Sequence, residues 1–442
     1  MNANSHAGLL CVPGFEWTGE AEKTSSVNWL LVFILAAVFF TPTFRVAGEI
    51  PVRLDDFLVF SAAAVLAARI MFSSRIPRPD ATSVYLTLLM VTTLFSALIA
   101  PAQLGVTMAA KDYLDLLRPF KFLLVYWLAR EQDGAVSLRT FVGTVYVSMA
   151  ILLGVAVVEM TLARILAGGP LVAFFVQFCD QVTIEEPVSI MAQRPFATFN
   201  TPTHLGYVAA LGFFLSQALE PPGRRRVLAL LSFFALLISV TRTLLFSLPL
   251  LLILQALARR GSAREKLKRV ACRAILVALV AGMAVILLPI ISPTAAEYTQ
   301  SMIVSIATGN TQDEYSISTR IDNLVLVAYT WANAPLFGVG TRSLLPWFVD
   351  SELIVTFHRF GLVGIGMLLA VYPVGLRLAK RARPYCPKFS AFGVMALAVT
   401  FLYGITQGAL LNTRVGVILF AVLGILAACS RQGSIKARAG GN

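Results

Sequence analysis

A dozen apolar runs alternate along this sequence with short basic junctions, and no other feature restricts its fold so severely. A helix that crosses ~30 Å of hydrocarbon needs roughly 20 apolar residues. Runs near that length, some shorter, fall at about 28–44, 57–73, 82–100, 113–129, 139–160, 204–220, 227–240, 243–258, 273–293, 353–377, 389–407 and 414–430. In lipid the backbone must satisfy its own hydrogen bonds, so such runs become helices. The expected fold class is therefore all-α, a polytopic transmembrane bundle of about twelve spans. Composition excludes the soluble alternative. Charged residues make up 13% of the chain, against about 25% in a soluble domain, and mean hydropathy is +0.78.

The junctions set the expected orientation. Arg75 and Arg78, Arg130 and Arg139, Arg224 to Arg226, the cluster from Arg259 to Arg269, Arg377 to Arg383, and Arg431 to Arg438 fall on one side. That side is expected to be the cytoplasm. Both termini then lie inside, and the long loops at about 161–203 and 294–352 face outward. The net charge of +13 is accounted for by these flanks, so no nucleic-acid partner is expected. Residues 1–27 read as a polar, disordered cytoplasmic segment, 28–430 as a transmembrane catalytic domain and 431–442 as a cytoplasmic tail. The first apolar run has no small-residue cleavage pattern after it and reads as a retained anchor. The five cysteines show no CxxC spacing, and a disulfide framework is not expected.

The stretch 227–258 tests the count. As one helix it would run ~48 Å and leave an arginine cluster on the wrong side. A hairpin turning at Thr241-Arg242-Thr243 keeps both clusters inside, but each arm is only ~22 Å long. The turn is then expected below the outer surface, with Arg242 at the floor of an outward-open, watered cavity. An arginine at that depth costs roughly 2.5–3.5 kcal/mol unless it meets water or a counter-charge.

The stretch 310–364 is the expected seat of chemistry. It carries Arg320, Asp322, Arg342, Asp350, Glu352, His358 and Arg359 between two apolar runs. Arg118, Arg194 and Arg242 fall on the same outer side. Guanidinium stays charged and binds phosphate oxygens bidentately, so converging arginines point to an anionic substrate, most simply a lipid-linked diphosphate. Asp115, Arg118 and Lys121 recur at helical spacing on one side of the fourth span; they read either as a basic wall or as an ion pair. His204 opens the sixth span. Asp350-Ser351-Glu352 opens the tenth, either as a helix cap or as a carboxylate poised as general base at the cavity mouth. His358 either assists or packs. Gly338-Val339-Gly340 reads as a turn and only weakly as a phosphate loop.

Four pieces taken in order resemble the O-antigen polymerase and O-antigen ligase superfamily of bacterial envelope glycosyltransferases. They are RPFATFNTPTHLG from Arg194, the TRT turn at Arg242, STRIDNLVLVAYTWANAPLFGVG around Arg320, and DSELIVTFHRFGLVG from Asp350. The resemblance covers roughly 190–370. It implies a GT-C-like helical fold in the bacterial inner membrane, with a large periplasmic loop and an active site facing the periplasm. The implied reaction transfers a glycan from undecaprenyl diphosphate, without nucleotide sugar or cofactor. Implied partners are the lipid-linked oligosaccharide, membrane lipids, and a chain-length regulator and flippase. Arg242 and Arg320 would bind the diphosphate, and Arg194 is similar to the arginine ahead of the family's sixth span. The residues themselves add Arg118, Lys121, Arg342, His204, Glu352 and His358 as candidates, with Arg194, for holding the diphosphate or the glycan. Asp350 would act on the acceptor hydroxyl. Pro202-Thr203 departs from the usual Pro-Asn, and Asp350-Ser351 from the His-Asn common in ligases. The second departure tilts the expectation toward a metal-independent polymerase over a ligase. A transporter, the third reading, would place charges at mid-membrane in both halves; here they gather on one side.

Overall fold

A computed structural model describes residues 26–40, 43–46, 50–73, 79–104, 116–131, 134–166, 202–218, 222–239, 242–258, 262–291, 324–325, 327–340, 351–406, 410 and 412–439, with single positions at 297, 300, 304 and 308. Twelve helices of 13 residues or more are described: α1 (Ser26–Phe40), α2 (Leu54–Ser73), α3 (Ala81–Leu104), α4 (Arg118–Arg130), α5 (Gly134–Leu166), α6 (Pro202–Ser216), α7 (Pro222–Ser239), α8 (Arg242–Ala258), α9 (Ala263–Ile291), α10 (Glu352–Ala382), α11 (Pro387–Thr406) and α12 (Thr413–Ala439). Five contain a stretch long and apolar enough to cross a membrane, namely α3, α5, α10, α11 and α12. The protein is thus a helical one built for a membrane, and every helix overlaps one of the apolar runs.

The starts have local causes. Proline stands in the first turn of α4, α6, α7 and α11, where its missing N–H costs nothing. Asp80 caps α3 by accepting from the Ser83 N–H at 2.8 Å. Asn412 accepts the Arg414 N–H at 2.9 Å at the head of α12. Between α1 and α2 lies an element the apolar pattern did not foretell, an antiparallel hairpin pairing β1 (Thr43–Val46) with β2 (Ile50–Arg53). The first helix accordingly ends at Phe40 instead of running to 44. Thr41 precedes Pro42, which disfavours helical geometry at that residue.

α12 is the hub. It packs most closely along α4, and also against α10, α11 and α5. Gly416 and Gly424 permit this: a Cβ at Gly416 would strike the Phe122 ring, and one at Gly424 would lie 2.6 Å from the Tyr126 carbonyl oxygen. The expected break after the seventh run is present, α7 ending at Ser239 and α8 opening at Arg242. The arms diverge: α7 packs chiefly on α6 and α5, α8 on α9 and α11.

α10 departs most from a simple span. Gly361 has φ 63° and ψ −157°, which no helix contains. In a continuous helix Thr356 and Gly364 would stand ~12 Å apart along the axis. Here a Cβ on Gly364 would lie 3.3 Å from the Thr356 carbonyl oxygen, and closer still to Phe360. The chain therefore doubles back at Gly361. The half-helix 352–360 is ~13 Å long and only 362–382, ~31 Å, is long enough to cross. Glu352 accordingly interacts electrostatically with Tyr372, as well as with Tyr85 and Tyr207. A continuous helix would hold Glu352 and Tyr372 ~30 Å apart.

Candidate functional site

A break in a buried helix orphans the last carbonyls of one half and the first N–H groups of the next. The turn at 335–340 satisfies two of each. Val339 and Gly340 N–H donate to the His358 and Arg359 carbonyls at 2.8 and 3.0 Å. Leu362 and Val363 N–H donate to the Pro335 and Leu336 carbonyls at 2.8 and 3.1 Å. Ser96 Oγ, buried on α3, lies 2.6 Å from both the Phe337 and Arg359 carbonyl oxygens and serves them with its single proton. The backbones meet so closely that only glycine fits at two points. A Cβ on Gly338 (φ 67°) would stand 2.5 Å from the Arg359 carbonyl carbon, and one on Gly361 would overlap Leu336. PLFGVG and FGLVG are thus two halves of one clasp. The turn's N–H groups at 338–340 are all spent on carbonyls, which removes the phosphate-loop reading.

The clasp sets the half-helix 352–360 beside an open groove. Tyr85, Leu89, Phe122, Phe360, Leu368, Leu410 and Phe420 form apolar walls. Phe122 and Phe420 stack at 5.2 Å, and Tyr85 and Phe420 at 6.5 Å. Two cationic side chains enter this lining, Arg118 from the first turn of α4 and Arg359 from the half-helix. Both are half-buried. Thr92, Thr93 and Thr356 add hydroxyls. Thr93 Oγ1 donates to the Leu89 carbonyl at 2.8 Å. Thr356 Oγ1 is buried and has no hydrogen-bond partner among the described residues. An apolar trough with two guanidinium groups suits an amphiphile bearing an anionic head.

Of the residues expected from sequence, Arg118 lines the groove. Lys121 does not; it is 5% exposed and its Nζ lies 2.6 Å from Asp56 Oδ1 on α2. The pair faces away from a wall role because a buried ammonium needs a carboxylate. Glu352 is 1% exposed, buried within the bundle and close enough to Tyr85 and Tyr207 to act on them electrostatically, which departs from a place at a cavity mouth. Ser351 occupies the N-cap position with extended backbone but makes no side-chain cap bond. His358 points to the other side of its helix from Thr356, Arg359 and Phe360. Its Nδ1 lies 2.8 Å from Thr330 Oγ1, its Nε2 is buried with no partner among the described residues, and Phe357 stacks on Trp331 at 6.3 Å. It thus packs the helical segment 327–333 against the half-helix. His204 is half-buried, its ring edge-on to Tyr403 at 6.2 Å. Nearby, Tyr403 Oη donates to Thr203 Oγ1 at 3.3 Å, and Tyr207 shares a hydrogen bond with Thr400 at 2.9 Å.

Arg242 opens α8, though its side chain lies outside the described residues, as do Arg194, Arg320, Arg342 and Asp350 entirely. Ser96, Thr356 and the groove-lining role of Arg359 went unread in the sequence. The signal for Arg359 was its place two residues before a glycine that cannot be helical. Arg414, 3% exposed at the head of α12, was likewise passed over. Cys272, Cys386 and Cys429 are free thiols. A scan against models of known protein families and a search of curated proteins both find no match to this chain.

Proposed function

We propose that the protein is a glycosyltransferase that polymerises a bacterial surface polysaccharide from polyprenyl-diphosphate-linked repeat units on the periplasmic face of the inner membrane. The observation that carries this reading is the apolar groove entered by Arg118 and Arg359. A prenyl chain suits its walls and a diphosphate suits its guanidinium groups. Helix parity supports the orientation. Every even-numbered helix runs toward a Lys/Arg-rich junction, and every odd-numbered one from α3 onward starts from such a junction. If all twelve cross, the basic ends lie in the cytoplasm, as do the start of α1 and the end of α12. Arg118, His204 and Arg242 then lie at the outer ends. So do the segments bearing Arg194, Arg320 and Arg342.

In this reading Arg118, Arg242, Arg320 and Arg359 stabilise negative charge developing on the leaving diphosphate. Asp350 takes or orients the acceptor hydroxyl proton. The leaving group is already activated, so positioning and positive charge supply the chemistry. A GT-C-like scaffold and a chain-length regulator and flippase as partners belong to the same proposal. Alanine at Arg242, Arg320 or Asp350 should abolish long polymer while the protein still inserts; normal chain lengths in all three variants would refute it. The second reading is a ligase moving finished glycan to lipid A core. The Asp350-Ser351 pair favours the polymerase. Loss of a polymerase leaves single lipid-linked repeats, whereas loss of a ligase leaves long lipid-linked chains.

A further inference from the structure

We infer that Thr356 is a ligand-contacting residue of the groove, its hydroxyl donating to an oxygen of the bound headgroup beside the guanidinium of Arg359. The inference rests on the groove being the seat of a prenyl diphosphate. Thr356 lines the groove, is 3% exposed, and its Oγ1 has no hydrogen-bond partner among the described residues. That is unusual for a threonine in a helix, which ordinarily turns its hydroxyl to the carbonyl four residues earlier. Thr87, Thr93, Thr144 and Thr400 all do so here, at 2.8–2.9 Å. Thr356 forgoes the bond and keeps its hydroxyl unspent.

The placement fits a headgroup. Thr356 and Arg359 are three residues apart on one helix face, ~4.5 Å along the axis. A ligand oxygen held by Arg359 leaves a second oxygen of the same headgroup within reach of Thr356. A hydroxyl can donate to an anionic oxygen, and such bonds are the stronger class. An unpaired buried hydroxyl lowers the stability of the empty protein, because its lost hydration is not repaid. Ligand binding supplies the missing partner.

This makes the valine variant respond with opposite signs in two assays, as a structural hydroxyl would not. The probe is farnesyl diphosphate, titrated calorimetrically into detergent-solubilised full-length protein, with farnesol as the uncharged control. Thr356→Val should raise the melting temperature of the ligand-free protein and weaken farnesyl diphosphate binding about tenfold, one charge-assisted hydrogen bond. Thr356→Ser should bind like wild type. Unchanged binding by Thr356→Val, or a lowered melting temperature with it, overturns the inference and leaves the groove reading standing. Equal binding of farnesyl diphosphate and farnesol by wild type overturns both. Arg359→Ala separates the cases further, since it should abolish the preference for the diphosphate.

Discussion

The clasp at Gly361 supports a quantitative prediction with an internal control five residues away. Alanine at Gly361 would have to adopt φ 63°, ψ −157°, a region open essentially to glycine alone, at a cost of about 1–3 kcal/mol. Its Cβ would also overlap the Leu336 carbonyl group, which is backbone and cannot rotate aside. Relief requires the turn 335–340 to withdraw, loosening four backbone hydrogen bonds worth about 1 kcal/mol each. With all four lost the total is roughly 5–7 kcal/mol, a large share of an ordinary stability. Gly366 lies in regular helix with nothing within 4 Å of an added Cβ, so alanine there should be neutral or stabilise by up to ~1 kcal/mol. Thermal unfolding of the two purified variants, followed by tryptophan fluorescence, reads the difference directly. Gly361→Ala should melt on the order of 5 °C or more below wild type, and Gly366→Ala at or above it. Two variants that melt together would show that the helix is not broken as described.

The Lys121–Asp56 pair should respond asymmetrically. Asp56 is 31% exposed and Lys121 only 6% at the side chain, so Asp56→Ala strands a buried ammonium and should cost about 2–4 kcal/mol. Lys121→Met, which leaves a carboxylate that water can reach, should cost about 1 kcal/mol; chemical denaturation in mixed micelles compares them, and equal losses would place the pair elsewhere. His358→Asn, which can retain the bond to Thr330, should keep turnover within about threefold of wild type. His358→Leu strands the fully buried Thr330 hydroxyl and should lower stability by about 1–3 kcal/mol. Loss of turnover in both, with stability intact in the asparagine variant, would restore a histidine-based mechanism.

The presence and approximate places of the helices were legible because lipid leaves a chain few options, though their ends depart by up to ten residues, α9 opening at Ala263 and not near 273. Twenty apolar residues between basic flanks specify a helix by length alone. The break between Ser239 and Arg242 followed from arithmetic, since the undivided run is too long for the bilayer. The doubling at Gly361 was not legible, because the run 353–377 is apolar on both sides of the glycine and periodicity says nothing of a reversal. What could be read was the FGLVG motif, without the reason for its glycines. Those glycines answer to Leu336 and Phe360, contacts that exist only in three dimensions. The role of Lys121 was not legible for a related cause. Its spacing from Arg118 is helical, but its partner Asp56 is 65 residues away on another helix. Thr356 was invisible because an unused hydroxyl differs from a used one only in where its proton can go.

The central claim is that this groove holds a lipid-linked diphosphate and that the protein lengthens the glycan attached to it. The direct measurement uses purified protein in proteoliposomes, supplied with one defined polyprenyl-diphosphate-linked repeat unit, and resolves product length by electrophoresis. Wild type should convert the single repeat into a ladder of longer lipid-linked chains, and Arg359→Ala should leave the repeat unconsumed. A wild-type protein that leaves single repeats intact, yet transfers preformed long chains to a lipid A core acceptor, would contradict the polymerase and establish the ligase.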